Sequence, residues 1–201
     1  MRKNTFIKKS NVLLILIFSC LFLQGCALLG GRVTTEDDIV YASKRIKWEY
    51  VYNNLGHISP LLNVDQSIVK ETDADKRTSY TVYDIVSLSD GSFALENKVF
   101  MIVDNDVFPM EIETKELEHA KTFEEKRSNI LKADSTKVSV VTSYSEKNKT
   151  IVKFKYTLNE NIMTRLQVAE RVLFRYYAGP DMITVELKGF ALEKLKKAMA
   201  K

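Results

Sequence analysis

The chain has 201 residues, with 30 lysines and arginines against 26 aspartates and glutamates, and 45% of its residues are hydrophobic. Four of the basic residues (Arg2, Lys3, Lys8, Lys9) and none of the acids fall in the first 25 positions, so the remainder balances at 26 against 26. That balance lacks the basic footprint of a nucleic-acid binder, and the 176 residues that follow (201 minus 25) suffice to bury a core in one domain.

Behind the positive leader comes an apolar run from Val12 to Leu23, broken only by Ser19 and Cys20. A bilayer-spanning helix takes roughly 20 apolar residues, so this shorter run predicts an export signal over 1–25 that is removed. Leu23-Gln24-Gly25-Cys26 resembles the lipobox of bacterial lipoproteins. The resemblance implies that the Cys26 thiol takes a diacylglyceryl group, that cleavage falls before it, and that the new amino group is acylated. Each buried methylene contributes about 0.8 kcal/mol, so two or three chains hold a protein effectively permanently. Ala27 is not the aspartate that retains such proteins at the inner membrane, which favours the outer membrane. With Cys20 lost and Cys26 lipidated, no thiol remains for a disulfide, a zinc site or catalysis.

Residues 26–35 read as a lipidated tether, with Gly30-Gly31 and Thr34-Thr35 supplying flexibility. A single β-rich domain is expected over 36–201. Its first segment has Thr35, Glu36, Asp37 and Asp38 as a helix start and Gly56 as a stop, which predicts a helix over about 37–47 followed by extended chain. From Tyr80 the pattern alternates with period two: Tyr80, Val82, Val86 and Leu88 oppose Thr81, Tyr83, Ile85 and Ser87 up to Ser89-Asp90-Gly91. Val99–Val103 reads as a strand covered on both faces. Asn105-Asp106 is expected as a hairpin turn into Phe108, Met110 and Ile112, and Pro109 places that strand at an edge or a bulge.

The charged stretch 116–132 carries Phe123, Ile130 and Leu131 at helical spacing, as in a connecting helix or a loop. Two further hairpins are expected. One turns at Glu146-Lys147-Asn148-Lys149 between Val138–Tyr144 and Val152–Leu158; the other turns at Ala178-Gly179-Pro180-Asp181. A C-terminal helix over Phe190–Ala200 has Leu192, Leu195 and Met199 on one stripe.

The chain carries little chemistry that its residue pattern singles out. His57 and His119 have no Gly-x-Ser-x-Gly elbow or metal-binding repeat beside them, and both read as structural or solvated. Asp104-Asn105-Asp106 and Asp73-Ala74-Asp75 read as turn chemistry; calcium would need six to eight oxygens. Asn148-Lys149-Thr150 forms a sequon with no role expected in a bacterial export product. Tyr83, Phe100 and Tyr177 lie opposite the regular apolar faces; a sheet covered on both sides would bury them, and a bare one would display them as a binding patch. Lys147, Lys149, Lys153 and Lys155 form a basic face, expected to be solvated, with anionic head groups as the other reading.

The expected fold is α+β, a mainly antiparallel sheet with a C-terminal helix, with a β-sandwich as the alternative. The expected function is a membrane-anchored, non-enzymatic binding or assembly module of the cell envelope. Its lipid would hold the membrane and its domain would meet an envelope protein; no cofactor, metal or nucleic acid is expected, and a small-molecule ligand is left open. The alternatives are a lipid-tethered hydrolase of envelope polymers and a surface-displayed adhesin.

Overall fold

Two antiparallel sheets carry most of the chain in the computed structural model, which describes residues 31–53, 60–131 and 137–201. Among the described residues, ten strands and two helices follow one another: β1 (Arg32–Asp38), β2 (Ser43–Asn53), β3 (Leu61–Thr72), β4 (Thr78–Ser89), β5 (Leu95–Val103), β6 (Asp106–Met110), β7 (Ile112–Leu131), β8 (Lys137–Leu158), α1 (Glu160–Val168), β9 (Arg171–Ala178), β10 (Asp181–Lys188) and α2 (Gly189–Ala200). The larger sheet has the order β1-β2-β3-β4-β8-β7 and curls into a half-barrel; the smaller has the order β10-β9-β5-β6. The fold is thus the mainly antiparallel one expected, closed by a C-terminal helix. The lipobox residues Leu23, Gln24, Gly25 and Cys26 lie outside the described residues, as does His57. No helix among the described residues is long and apolar enough to cross a membrane.

Period-two alternation sets which side of each strand faces inward. Ile46, Trp48 and Tyr52 of β2, Val64 and Ile68 of β3, and Val82, Val86 and Leu88 of β4 all point to one side. Val152, Phe154, Tyr156 and Leu158 of β8 continue that layer. Against it pack Val99 and Met101 of β5, Phe174 and Tyr176 of β9, and Val185 of β10, with the Phe154 and Tyr176 rings stacked at 6.2 Å. The stripe Leu192, Leu195 and Met199 of α2 is buried in the same core. Lys70 of β3 donates through Nζ to the Met199 carbonyl at 2.9 Å, placing a cation at the helix C-terminus where the dipole favours one. Lys194 donates to the Gly31 carbonyl, tying α2 to the start of β1.

Several expectations are corrected. Residues 37–47 are not a helix: β1 and β2 pair from Arg32↔Glu49 to Asp38↔Ser43 around a turn at 39–42. Asp38 does cap, as its neighbourhood suggested, but it caps a turn; its Oδ1 accepts from the Val40 and Tyr41 N–H groups at 2.9 and 3.2 Å. Because β1 begins at Arg32, residues 32–35 belong to the sheet and not to the tether. The first hairpin of the smaller sheet turns at Asp104-Asn105, one residue earlier than expected, with Asp104 at φ +53°. Pro109 does sit on an edge, because β6 is the outermost strand.

The largest departure is in the segment 116–132, of which residues 116–131 belong to strand β7, paired with β8 from Ile112↔Tyr156 to Leu131↔Lys137. Glu146-Lys147-Asn148-Lys149 is therefore not a turn but the middle of a 22-residue strand. A facing strand supplies cross-strand partners, Lys121 to Glu146 at 3.0 Å and Glu124 to Lys147 at 2.8 Å, and the polar run stays extended. The ribbon connects across 132–136, which lie outside the described residues.

The β9–β10 hairpin turns where expected, with Gly179 at φ +58° followed by Pro180. A positive φ at the first turn residue matches the primed turns that suit hairpin twist. A Cβ on Gly179 would meet Phe93 Cγ at 2.5 Å as well as the left-handed backbone cost. Gly179→Ala is expected to lower stability by about 1–3 kcal/mol, measured as a fall in the urea midpoint at unchanged slope.

Candidate functional site

Two inward positions break the apolar alternation. Gln66 stands between Val64 and Ile68 on β3, and Asp84 between Val82 and Val86 on β4. Both are buried, and among the described residues Asp84 is the one buried carboxyl. Its Oδ2 accepts from the hydroxyls of Tyr156 and Tyr176, each at 2.8 Å, and its Oδ1 accepts from Gln66 Nε2 at 2.9 Å. Gln66 Oε1 in turn accepts from the Tyr52 hydroxyl at 3.2 Å. Tyr176 belongs to the smaller sheet and the other four to the larger, so the network is a polar tie between sheets. Burial raises the Asp84 pKa and outweighs the three hydrogen bonds, which act the other way. Burial likewise drives the Tyr52, Tyr156 and Tyr176 hydroxyls well above their ordinary range. Every partner is supplied from within, which is the chemistry of a core lock.

The opposite, outward side of the larger sheet is different. The helices pack into the core on the inner side, and beyond the register shift at Leu61 the odd-numbered residues along the middle of β2, β3 and β4 face outward. Tyr83 and Ile85 stay 40% and 37% exposed there, beside Val51. They line a groove of about 920 Å3 together with Arg32, Glu49 and Asp65, the last paired between Val51 and Ile85. Tyr83 also lines the adjoining hollows, one toward Thr34 and Arg45 and one toward Lys153 and Lys155. Tyr83 is thus not in a core, contrary to the reading of a sheet covered on both sides. Phe100 and Tyr177 are half-buried on the outer side of the smaller sheet, edge to face at 5.8 Å. The three rings form two separate surfaces.

The basic face is also resolved. Lys147 pairs with Glu124 at 2.8 Å, Lys153 with Glu118 at 3.2 Å, and Lys155 with Glu113 at 2.8 Å. The Lys155 and Thr157 side chains hold the exposed Glu113 carboxyl below its ordinary range. Three of the four lysines are therefore matched by a facing row of glutamates on β7.

The remaining candidates serve local structure. Asp104 Oδ1 accepts from the Glu170 and Arg171 N–H groups, each at 3.0 Å, and Asp106 pairs with Arg165 at 2.6 Å. Asp73 and Asp75 both grip Arg77 across the β3–β4 turn. His119 lies on β7 with its Nδ1 3.4 Å from the Thr150 hydroxyl. Asn148 donates to Asp90 at 3.3 Å, while its Oδ1 is buried without a partner among the described residues.

The third surface is the far half of the β7–β8 ribbon. β4 accompanies β8 only over 149–158, so from Lys137 to Asn148 the strand pairs with β7 alone. This two-stranded arm extends about 40 Å beyond the sheet, at roughly 3.3 Å per residue. Phe123 and Tyr144 project from it 66% and 69% exposed. No protein-family model, no curated protein and no solved structure matches the chain.

Proposed function

We propose that the chain is a lipid-anchored, non-enzymatic binding module of the bacterial cell envelope, held at the outer membrane through Cys26 and meeting an envelope protein on its open sheet face. The observation that carries this reading is the groove on the open sheet face, where the exposed Tyr83, Ile85 and Val51 stand among the charged Arg32, Glu49 and Asp65. An apolar patch rimmed by polar groups is the usual mark of a contact surface. The buried acid supports the same reading, because Asp84 spends its hydrogen-bonding capacity on Gln66, Tyr156 and Tyr176.

A photo-crosslinking residue at Tyr83 in intact cells is expected to yield a discrete adduct. The same group at Ala74, on the exposed β3–β4 turn, is expected to yield none. Equal labelling at both sites, or none at either, overturns the binding reading. Cys26→Ala is expected to abolish incorporation of labelled palmitate; persistent incorporation overturns the anchor.

A further inference from the structure

We infer that β1 is an interface between two copies of this chain, paired edge to edge and antiparallel about a two-fold axis at Thr35, so that the two larger sheets run on as one. The pairing needs neither the lipid nor the envelope partner, and it adds a second copy beside the face on which that partner is proposed to sit.

The edge itself is the first support. β1 is outermost in its sheet, and β2 is its ladder neighbour, held without a register shift from Arg32↔Glu49 to Asp38↔Ser43. Its other side therefore presents the alternate N–H and C=O groups of a regular seven-residue strand, a template for one strand more. Among the described residues the other edges are blunted. Pro109 lies on β6, β7 slips register twice against β8, and α2 folds back on β10.

Charge selects the occupant. Arg32 opens the strand, and Glu36, Asp37 and Asp38 close it. Arg45, across the ladder from Glu36, is engaged by Asp38 and Glu71, and Arg32, Glu36 and Asp37 have no ion pair among the described residues. A second β1 laid antiparallel, with Thr35 opposite itself, sets Arg32 opposite the partner's Asp38, Val33 opposite the partner's Asp37 and Thr34 opposite the partner's Glu36. Even-numbered residues keep to one face in both copies, so each Arg32 meets an acid. Unlike charges directly opposed strengthen a ladder and like charges weaken it. A parallel pairing in register would set all three acids against themselves, so the same charges exclude that arrangement. A two-fold contact of this kind closes on itself and builds no fibre. The turn of each copy then stands beside the start of the partner's sheet. Ile39, Val40 and Tyr41, 93%, 85% and 73% exposed in one copy, gain cover there. Thr34 and Glu36 also line the hollow beside Tyr83, so the two hollows meet across the axis and the open faces join.

The test places Thr35→Cys in the full chain in intact cells and applies mild oxidation or a short bis-maleimide. Opposed residues of an antiparallel ladder lie about 4.5–5.5 Å apart at Cα, within disulfide reach. Thr35→Cys is expected to give a linked homodimer, and Ala74→Cys and the unsubstituted chain are expected to give none. Val33→Cys and Asp37→Cys are each expected to stay unlinked by oxidation when alone and to join when expressed together, because the register sets them opposite one another. Arg32→Glu is expected to lower the linked fraction of Thr35→Cys by about tenfold, through two like-charge contacts. Thr35→Cys that stays monomeric under both reagents, or links no better than Ala74→Cys, overturns the interface. Capture of a different protein at Thr35→Cys overturns it in favour of a foreign strand on this edge. Linking that Arg32→Glu leaves unchanged overturns the register. A linked unsubstituted chain shows a free Cys26 and overturns the anchor, and the same variants on Cys26→Ala then decide the edge alone.

Discussion

Asp84→Ala is expected to destabilise the fold by about 3 kcal/mol or more, while Asp84→Asn changes it by about 1 kcal/mol or less near neutral pH. Alanine would strand three buried donors, Gln66 Nε2 and the Tyr156 and Tyr176 hydroxyls, and each unsatisfied buried group costs about 1–3 kcal/mol. Asparagine keeps an oxygen for the two tyrosines and turns its amide toward Gln66. The Gln66 amide can then rotate, presenting its oxygen to the introduced NH2 group and its own NH2 group to the Tyr52 hydroxyl, which both donates and accepts. The two variants also differ from the wild type in pH dependence. Burial raises the folded Asp84 pKa above its unfolded value, so the folded state holds the proton more tightly. The associated stability is fully present below the ordinary aspartate range and is lost as pH rises through the raised folded value. Asp84→Asn is expected to remove that slope. Urea titrations across mildly acidic to neutral pH check it: a wild type and Asp84→Asn with parallel stability profiles would show that Asp84 does not titrate differently on folding.

Phe154→Lys is expected to leave the chain unfolded at room temperature, and Phe154→Ala to cost about 3–5 kcal/mol. Phe154 is buried, stacked on Tyr176 across the two sheets, and directly opposite Asp84 in the ladder. A lysine there would bring an ammonium into the core, where an unpaired charge costs many kcal/mol. Pairing it with Asp84 would take the carboxylate away from Tyr156 and Tyr176. Lys153 and Lys155, one residue to either side, point outward to exposed glutamates, and truncating either to alanine should leave the melting temperature close to that of the wild type. Thermal melts followed by circular dichroism read all four variants. Similar losses at 153, 154 and 155 would contradict the alternation.

That alternation is what made β4, the second half of β8, β9 and β10 legible in the amino-acid order. One side of each packs on a core, so Val82, Val86, Val152 and Phe154 recur at every second position. The arm has no core under either face, so neither side of residues 116–131 is selected for apolar residues and no period survives; Phe123 and Ile130 mimic a helical spacing by accident. β1 and β2 misled for another reason, since an aspartate that caps a turn and one that caps a helix accept the same kind of N–H bonds. Helix α1 was missed although its signal was present. Asn159 accepts from the Ile162 N–H at 2.9 Å, Glu160 opens the first turn, and Ile162, Met163 and Leu166 fall on one buried stripe. The polar tie was equally visible as Gln66 and Asp84 at inward positions of apolar strands, a breach that requires a partner wherever it occurs. The groove was legible only through Tyr83, because its lining draws Arg32, Glu49 and Asp65 from three strands whose neighbourhood no local pattern reveals.

The bond from Lys194 to the Gly31 carbonyl has a mechanical consequence. Traction on the chain at residue 31 acts along the axis of β1, so the seven paired residues from Arg32 to Asp38 resist it together, in shear, and do not peel apart one by one. The clamp passes part of that load to α2, whose apolar stripe is seated in the core. With the proposed anchor at its amino end, the domain would thereby be fastened at the one place where strain would enter it.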